Sequence, residues 1–329
     1  MDAKNELTGV GIDVIEDDVQ SLDDSVFRLL LKDKSTKKNI IWATNDYLSY
    51  GEQYGADSEI LPELITGEHR FLIQPRSAKA KETQAGRTRD KAEVFTPSWV
   101  CNKQNNLIDE RWFGNRDIFN VETENGWNTI PTAIDFSGKS WKKYVDAQRL
   151  EITCGEAPYL VSRYDTVDGT PIPLLERIGL LDRKLRVVCE NAIEDAEWLT
   201  WAIRAVQSVF GYEYQGDNIL LARENVLLTF IDYYRYRFSC SPDIKTLRVV
   251  ANIIAWNIWQ MDGMKYVAPG SCQDTVFSEY TFFGEQKTIE PCPGCKKNDI
   301  YHHNGCYCMI QDWRTKAPVR FIDMMKGRK

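Results

Sequence analysis

The sequence predicts an α/β fold: a mostly parallel, twisted sheet with helices on both faces, an N-terminal accessory region before it and a cysteine-rich, ribbon-like insert near the C-terminus. Three observations predict it. A short apolar run, Leu150–Thr153, leads straight into Cys154-Gly155, which reads as a strand ending in a tight turn. Beyond it, Glu194–Phe210 places Trp198, Leu199, Ala202, Val206 and Val209 at helical spacing, and Ile219–Phe238 repeats the pattern. Strand, glycine turn and helix in succession favour layered α/β packing over an all-α or all-β chain. The third observation is the crowding of four of the nine cysteines between Cys292 and Cys308.

Composition sets the outer bounds. With 43% hydrophobic residues, 27% charged residues and ten tryptophans in 329 residues, the chain can fill a sizeable core, which excludes a disordered tail or a coiled coil. Its net charge of −7 argues against a nonspecific DNA coat, while leaving a local basic face compatible with nucleic acid. No stretch approaches the roughly 18–20 apolar residues of a membrane helix, and the acidic N-terminus is unlike a signal peptide, so a cytoplasmic protein is expected.

In chain order, residues 1–24 read as an acidic flexible arm, and 25–90 as the accessory region. Within it, Val26–Leu31 and Asn39–Thr44 are expected to be two strands about a polar turn. Arg76, Lys79, Lys81, Arg87, Arg89 and Lys91 follow with small residues between them; they read as a solvated face or as contacts to nucleic-acid phosphates. Residues 91–285 form the α/β domain, with a loop-rich stretch from Phe113 to Lys143 and a third apolar segment, helix or strand, from Val249 to Trp259. Phe230, Tyr233, Tyr234, Tyr236 and Phe238 could stack on bases, but their helical spacing favours core packing. Residues 286–329 hold the insert and the tail.

Cys292-Pro-Gly-Cys295 has the form of a zinc knuckle, its glycine freeing backbone amides to point at thiolates. The expected ligands are Cys292, Cys295, Cys306 and Cys308, with His302 or His303 able to replace one of the closely spaced second pair; the alternative is a metal-free hairpin with reduced thiols. A catalytic zinc is not expected, because no water-activating acid is spaced around the cluster as in deaminases. Cys101, Cys154, Cys189, Cys240 and Cys272 have no paired histidine in a recognisable motif and read as structural.

Four segments carry a resemblance. Glu93-Val-Phe95-Thr96-Pro97, the run Leu150-Glu151-Ile-Thr-Cys154-Gly155-Glu-Ala157-Pro-Tyr-Leu160, Tyr212-Glu213 through Asn225, and Trp256 through Met264 together resemble the adenine-N6 DNA methyltransferases of restriction-modification systems. The resemblance spans roughly Phe27 to Lys329. It implies a Rossmann-like S-adenosylmethionine methyltransferase sheet. It assigns Phe95, Thr96 and Pro97 to a cofactor lid, Glu151, Cys154 and Gly155 to the cofactor loop, Glu213 (or Asp217) to the ribose hydroxyls and Asp262 to the adenine ring. The sequence departs from the family where Ala157 replaces the second loop glycine beside Glu156, and no Asn- or Asp-Pro-Pro-aromatic tetrapeptide occurs in it. The resemblance therefore implies the front, cofactor-binding portion of a split methylase, inactive until DNA and a partner supplying that motif are present. The alternative is a noncatalytic protein of the same fold that docks on DNA or on a defence or counter-defence protein.

Overall fold

The computed structural model describes residues 16–79, 84, 86–89, 96–282 and 284–326. Helices α1 (Glu16–Leu22) and α2 (Asp24–Leu31) open it. The strand expected over Val26–Leu31 is thus a helix, and the reason is local. Asp23 sits in extended conformation and its carboxylate accepts hydrogen bonds from the Ser25 and Val26 amides, which caps a helix. Val26, Phe27, Leu30 and Leu31 then fall on one helical stripe and all four are buried, where a strand would bury alternate residues. The second expected strand is reduced to isolated antiparallel bridges, Lys32 with Asn39 and Ile41 with Glu59.

After a series of short turns, α3 (Ser98–Phe113) starts behind Pro97 and stops at Gly114 in the left-handed region. The loop-rich connection holds a small hairpin, β1 (Asn120–Glu122) with β2 (Trp127–Thr129), and α4 (Trp141–Asp146). The centre of the molecule is then built by β3 (Arg149–Glu151), α5 (Leu180–Asn191), α6 (Asp195–Gln207), β4 (Val209–Glu213), α7 (Gly216–Phe238), α8 (Ile244–Asn257) and β5 (Ile258–Gln260). The three strands form a parallel sheet in the order β3-β4-β5, with Glu151 beside Gly211 and Glu213 beside Gln260. Parallel neighbours need long crossovers, and each here is a pair of helices. Helix α7 is buried on all sides along most of its length, as a central core helix must be. The mixed α/β class expected from the sequence is what the chain adopts, although the main sheet is small.

The accessory region packs into this centre. Gln260 accepts from the Ile41 amide at 2.9 Å and donates to the Ile41 carbonyl at 2.8 Å and the Tyr214 carbonyl at 2.8 Å. Gly216 completes the contact: a Cβ there would lie 2.0 Å from the Ile41 carbonyl oxygen, so no other residue fits. Buried Arg223 donates to the carbonyls of Leu30, Lys32 and Ile258, tying α2 to the sheet.

The C-terminal part carries a hairpin of β6 (Thr275–Thr281) and β7 (Gly284–Glu290), the short α9 (Pro293–Lys297), a second hairpin of β8 (Met309–Asp312) and β9 (Ala317–Arg320), and α10 (Phe321–Lys326). A second core of Phe210, Trp259, Met261, Cys308, Ile310 and Phe321 joins this part to the sheet. No helix among the described residues is long and apolar enough to cross a membrane.

Candidate metal centre and the strand ends

Four donors converge below the β6–β7 hairpin: the thiols of Cys272, Cys292 and Cys295 and the ring of His303, all within 4.8 Å of one another. Cys272 Sγ lies 3.6 Å from Cys295 Sγ, and His303 Nδ1 lies 3.5 Å from Cys272 Sγ and 3.6 Å from those of Cys292 and Cys295. A zinc ion with Zn–S near 2.3 Å and Zn–N near 2.0–2.1 Å in a tetrahedron sets donor separations of about 3.8 Å for S···S and about 3.5 Å for S···N. These separations are close to those a tetrahedral zinc ion requires, and the three cysteines are free thiols.

Local chain geometry explains the approach. Gly294, between Cys292 and Cys295, lets His303 come close: a Cβ there would meet both the backbone nitrogen and Nδ1 of His303 at 2.7 Å. Burial opposes ionisation of Cys292, but hydrogen bonds from the Cys295 and Asn304 amides, with His303 and Cys272, bring its thiol down to about 6. Burial and the neighbouring Cys292 and Cys295 push Cys272 up to about 12. A cation replaces the need to keep that proton, since a coordinating thiol is deprotonated by the metal. Four protein donors fill a tetrahedron and leave no position for water or substrate, so the arrangement can hold a structural ion and does not activate one for catalysis.

The donor set corrects the expected one. Cys306 and Cys308 stand outside the cluster. Cys308 is fully buried in the second core, where its thiol donates to the Gln260 carbonyl, and the Cys306 amide donates to Ser271 Oγ. Their places are taken by Cys272, which the sequence left without a partner, and by His303, one of the two histidines expected as a replacement ligand. His302 turns away to Asp299 at 2.7 Å.

At the carboxyl ends of the parallel strands, residues singled out from distant segments meet. Glu213 Oε2 accepts from the Gly155 amide at 2.9 Å, and Oε1 accepts from the amides of Tyr214 at 2.8 Å and Gln215 at 3.3 Å. Glu151 accepts from the Tyr159 and Leu160 amides at 3.3 and 3.1 Å, and burial pushes its carboxyl up to about 8. Cys154 is buried against Gly211. Thr153, Gly155 and Ala157 all have positive φ, so the loop turns sharply. Glu156 is buried, accepting from the Arg76 amide at 2.6 Å and the Tyr164 hydroxyl at 2.7 Å. Asp262 caps a turn through the Met264 and Lys265 amides. Thr96 and Pro97 precede α3, Thr96 accepting from Cys101 and Thr166; Phe95 and Lys81 lie outside the described residues.

Among the described residues of the basic segment, Lys79 and Arg87 face inward. Asp217, the alternative ribose acid, is fully buried and accepts from Tyr47 at 2.7 Å, Lys79 at 3.3 Å and Arg87 at 2.9 Å. Burial disfavours its charge, yet Lys79 and Arg87 hold its carboxyl far below the usual range. Arg87 is 4% exposed and also pairs with Asp46. The expected phosphate contacts through Lys79 and Arg87 are therefore replaced by internal ion pairing, because both are needed to neutralise a buried carboxylate. Arg76 is half-buried and Arg89 exposed.

In comparisons with known proteins, no family model, no curated protein and no solved structure matches this chain. Of the residues that sequence reasoning missed, Cys272 and Gly294 matter most. The signal for Cys272 was its place just before a β-alternating stretch that returns to Cys292.

Proposed function

We propose that the chain is the cofactor-binding part of an S-adenosylmethionine-dependent adenine-N6 DNA methylase, of a restriction-modification or mobile-element system, that transfers no methyl group by itself. The observation that carries this reading is the 2.9 Å hydrogen bond between Glu213 and the Gly155 amide at the ends of adjacent parallel strands. In open parallel α/β sheets, nucleotide cofactors lie outside the carboxyl ends of the strands, against a glycine turn and an acid of the next strand. The order β3-β4-β5 with helical crossovers suits one half of a Rossmann-like sheet. On this reading Glu213 exchanges an amide for the ribose hydroxyls, Asp262 faces adenine, and Phe95, Thr96 and Pro97 cover the cofactor. Transfer to an adenine amine needs acceptors for its protons and an aromatic platform for the flipped base. The tetrapeptide that supplies them does not occur in these 329 residues, so on this reading DNA methylation needs that motif from elsewhere.

Calorimetric titration of the full chain with S-adenosylmethionine is the test. A dissociation constant on the order of 0.1–1 mM is expected, weakened about tenfold or more in Glu213→Ala. No heat and no thermal shift at millimolar cofactor would overturn the reading. A second reading, a noncatalytic binding protein of the same fold, is favoured by the loop itself: Glu156 is buried in it, Ala157 sits at φ +65°, and three amides already occupy Glu213. That protein would dock on DNA or a defence protein without cofactor. The metal is structural on both readings.

A further inference from the structure

We infer that the chain docks onto a second copy of itself, the β6–β7 hairpin of one copy seating in a cleft along helix α8 of the next. The hairpin runs in unbroken antiparallel register from Thr275 beside Glu290 to Thr281 beside Gly284, and every residue of β7 is exposed. It shows Val276 opposite Ile289 on one face, with Tyr280 farther along that face at 85% exposure, and Phe277 on the other. A two-stranded hairpin cannot build a core of its own, so these side chains are covered only by something docked against them. Its base is fixed between Cys272 and Cys292 of the metal quartet, which holds it in a defined direction. Three glutamates, Glu279, Glu285 and Glu290, against Lys287 make it acidic.

The complementary surface is on the same chain. An open cleft of about 650 Å³ has Ile244, Val249, Ile253 and Trp313 in its walls, with Lys245 and Arg248 at its rim. Both cations are exposed; Asp23 faces Arg248 and Asp243 faces Lys245 without forming an ion pair among the described residues, which leaves both cations able to meet the hairpin's glutamates. Apolar walls suit Tyr280 with Val276 and Ile289, and the cationic rim suits the glutamates. Hairpin and cleft do not meet within one chain, since both are open. Being different surfaces, they make a head-to-tail contact, which propagates into a ring or an open chain. None of this depends on the cofactor reading.

The test is the mass of the full chain in solution by sedimentation or light scattering, up to about 100 μM at low salt. The expected result is a species larger than the monomer that dissociates as salt is raised. Lys245→Glu with Arg248→Glu, and separately Glu279→Lys with Glu285→Lys, should each raise the apparent dissociation constant at least tenfold. All four sites are exposed, so folding is retained. Mixing the two variants should restore assembly, because each reversed surface then meets its complement on the other chain. A wild type that stays monomeric, variants that assemble unchanged, or a mixture that stays monomeric would each overturn the inference. So would a monomeric wild type that binds a single-stranded oligonucleotide through Lys245 and Arg248, which would give the cleft to nucleic acid.

Discussion

Glu16 on α1 and Glu224 on α7 are buried with no hydrogen-bond partner on either carboxyl among the described residues. Burial, and for Glu16 the neighbouring Glu224, raises both well above the carboxylate range. Burial likewise raises Glu151 to about 8 and Asp182 to about 6. A carboxyl whose folded pKa is raised binds its proton more tightly folded than unfolded, so the stability it contributes is complete below about pH 4 and is lost as pH rises through the folded value. Asp217 is shifted the other way, but its contribution is already complete by about pH 5 and does not change above it. The stability these carboxyls contribute, read by urea unfolding, should therefore fall between pH 5 and pH 8, a slope that buried Lys184, whose pKa burial lowers, opposes. Glu224→Gln should flatten that slope and stabilise the protein at pH 8 by on the order of 1 kcal/mol, because an amide has no charge to bury. A steeper fall in the variant would show that the pair is not the source.

At the scale of elements, the metal loop and the basic segment separate what sequence could and could not reveal. The Cys292–Cys295 knuckle was legible because its spacing is local. Cys272 was not, since the hairpin that carries it back to Cys292 exists only through cross-strand pairing. Cys308 misled because a thiol can be a ligand or a core residue, and packing beside Ile310 and Phe321 decides for the core. Purified protein should hold about one zinc, and Cys272→Ser or Gly294→Ala should lose it while Cys306→Ser keeps it, by elemental analysis. Helix α2 was misread because a short apolar run fits strand and helix alike; Asp23 as cap was the deciding residue. The helices over Glu194–Phe210 and Ile219–Phe238 were legible from period, although Val209 and Phe210 turn out to open β4; of the parallel strands only β3 was read from the residues, and α3 and α5 were not singled out. The charges of Lys79 and Arg87 looked like a nucleic-acid face because nothing local announces Asp217 as their partner. Asp217→Asn should take from Lys79 and Arg87 the buried carboxylate they share and cost about 3–5 kcal/mol in chemical denaturation, well above the cost of Asp46→Asn at the partly exposed end of the network.

For the whole molecule, the decisive feature is how thoroughly the described part of the accessory region, residues 25–79, is fastened to the centre. A fragment of residues 91–329 would leave Arg223 without the Leu30 and Lys32 carbonyls and Gln260 without Ile41. Such a fragment should fail to give a cooperative melt, and adding residues 1–90 in trans should restore one. This fastening also has a consequence in time. The ribosome makes Leu30, Lys32 and Ile41 roughly two hundred residues before Arg223 and Gln260, and at about 5–20 residues per second that is a delay on the order of ten seconds or more. During it, the emerging α2 shows its apolar stripe to solvent, because α7 and α8, against which it packs, have not yet been made. Contacts of such long sequence separation also close slowly once the chain is complete. Nascent chains stalled before residue 223 should therefore be protease-sensitive across Asp24–Leu31 and bound by chaperones, and chains stalled well beyond residue 260 should not.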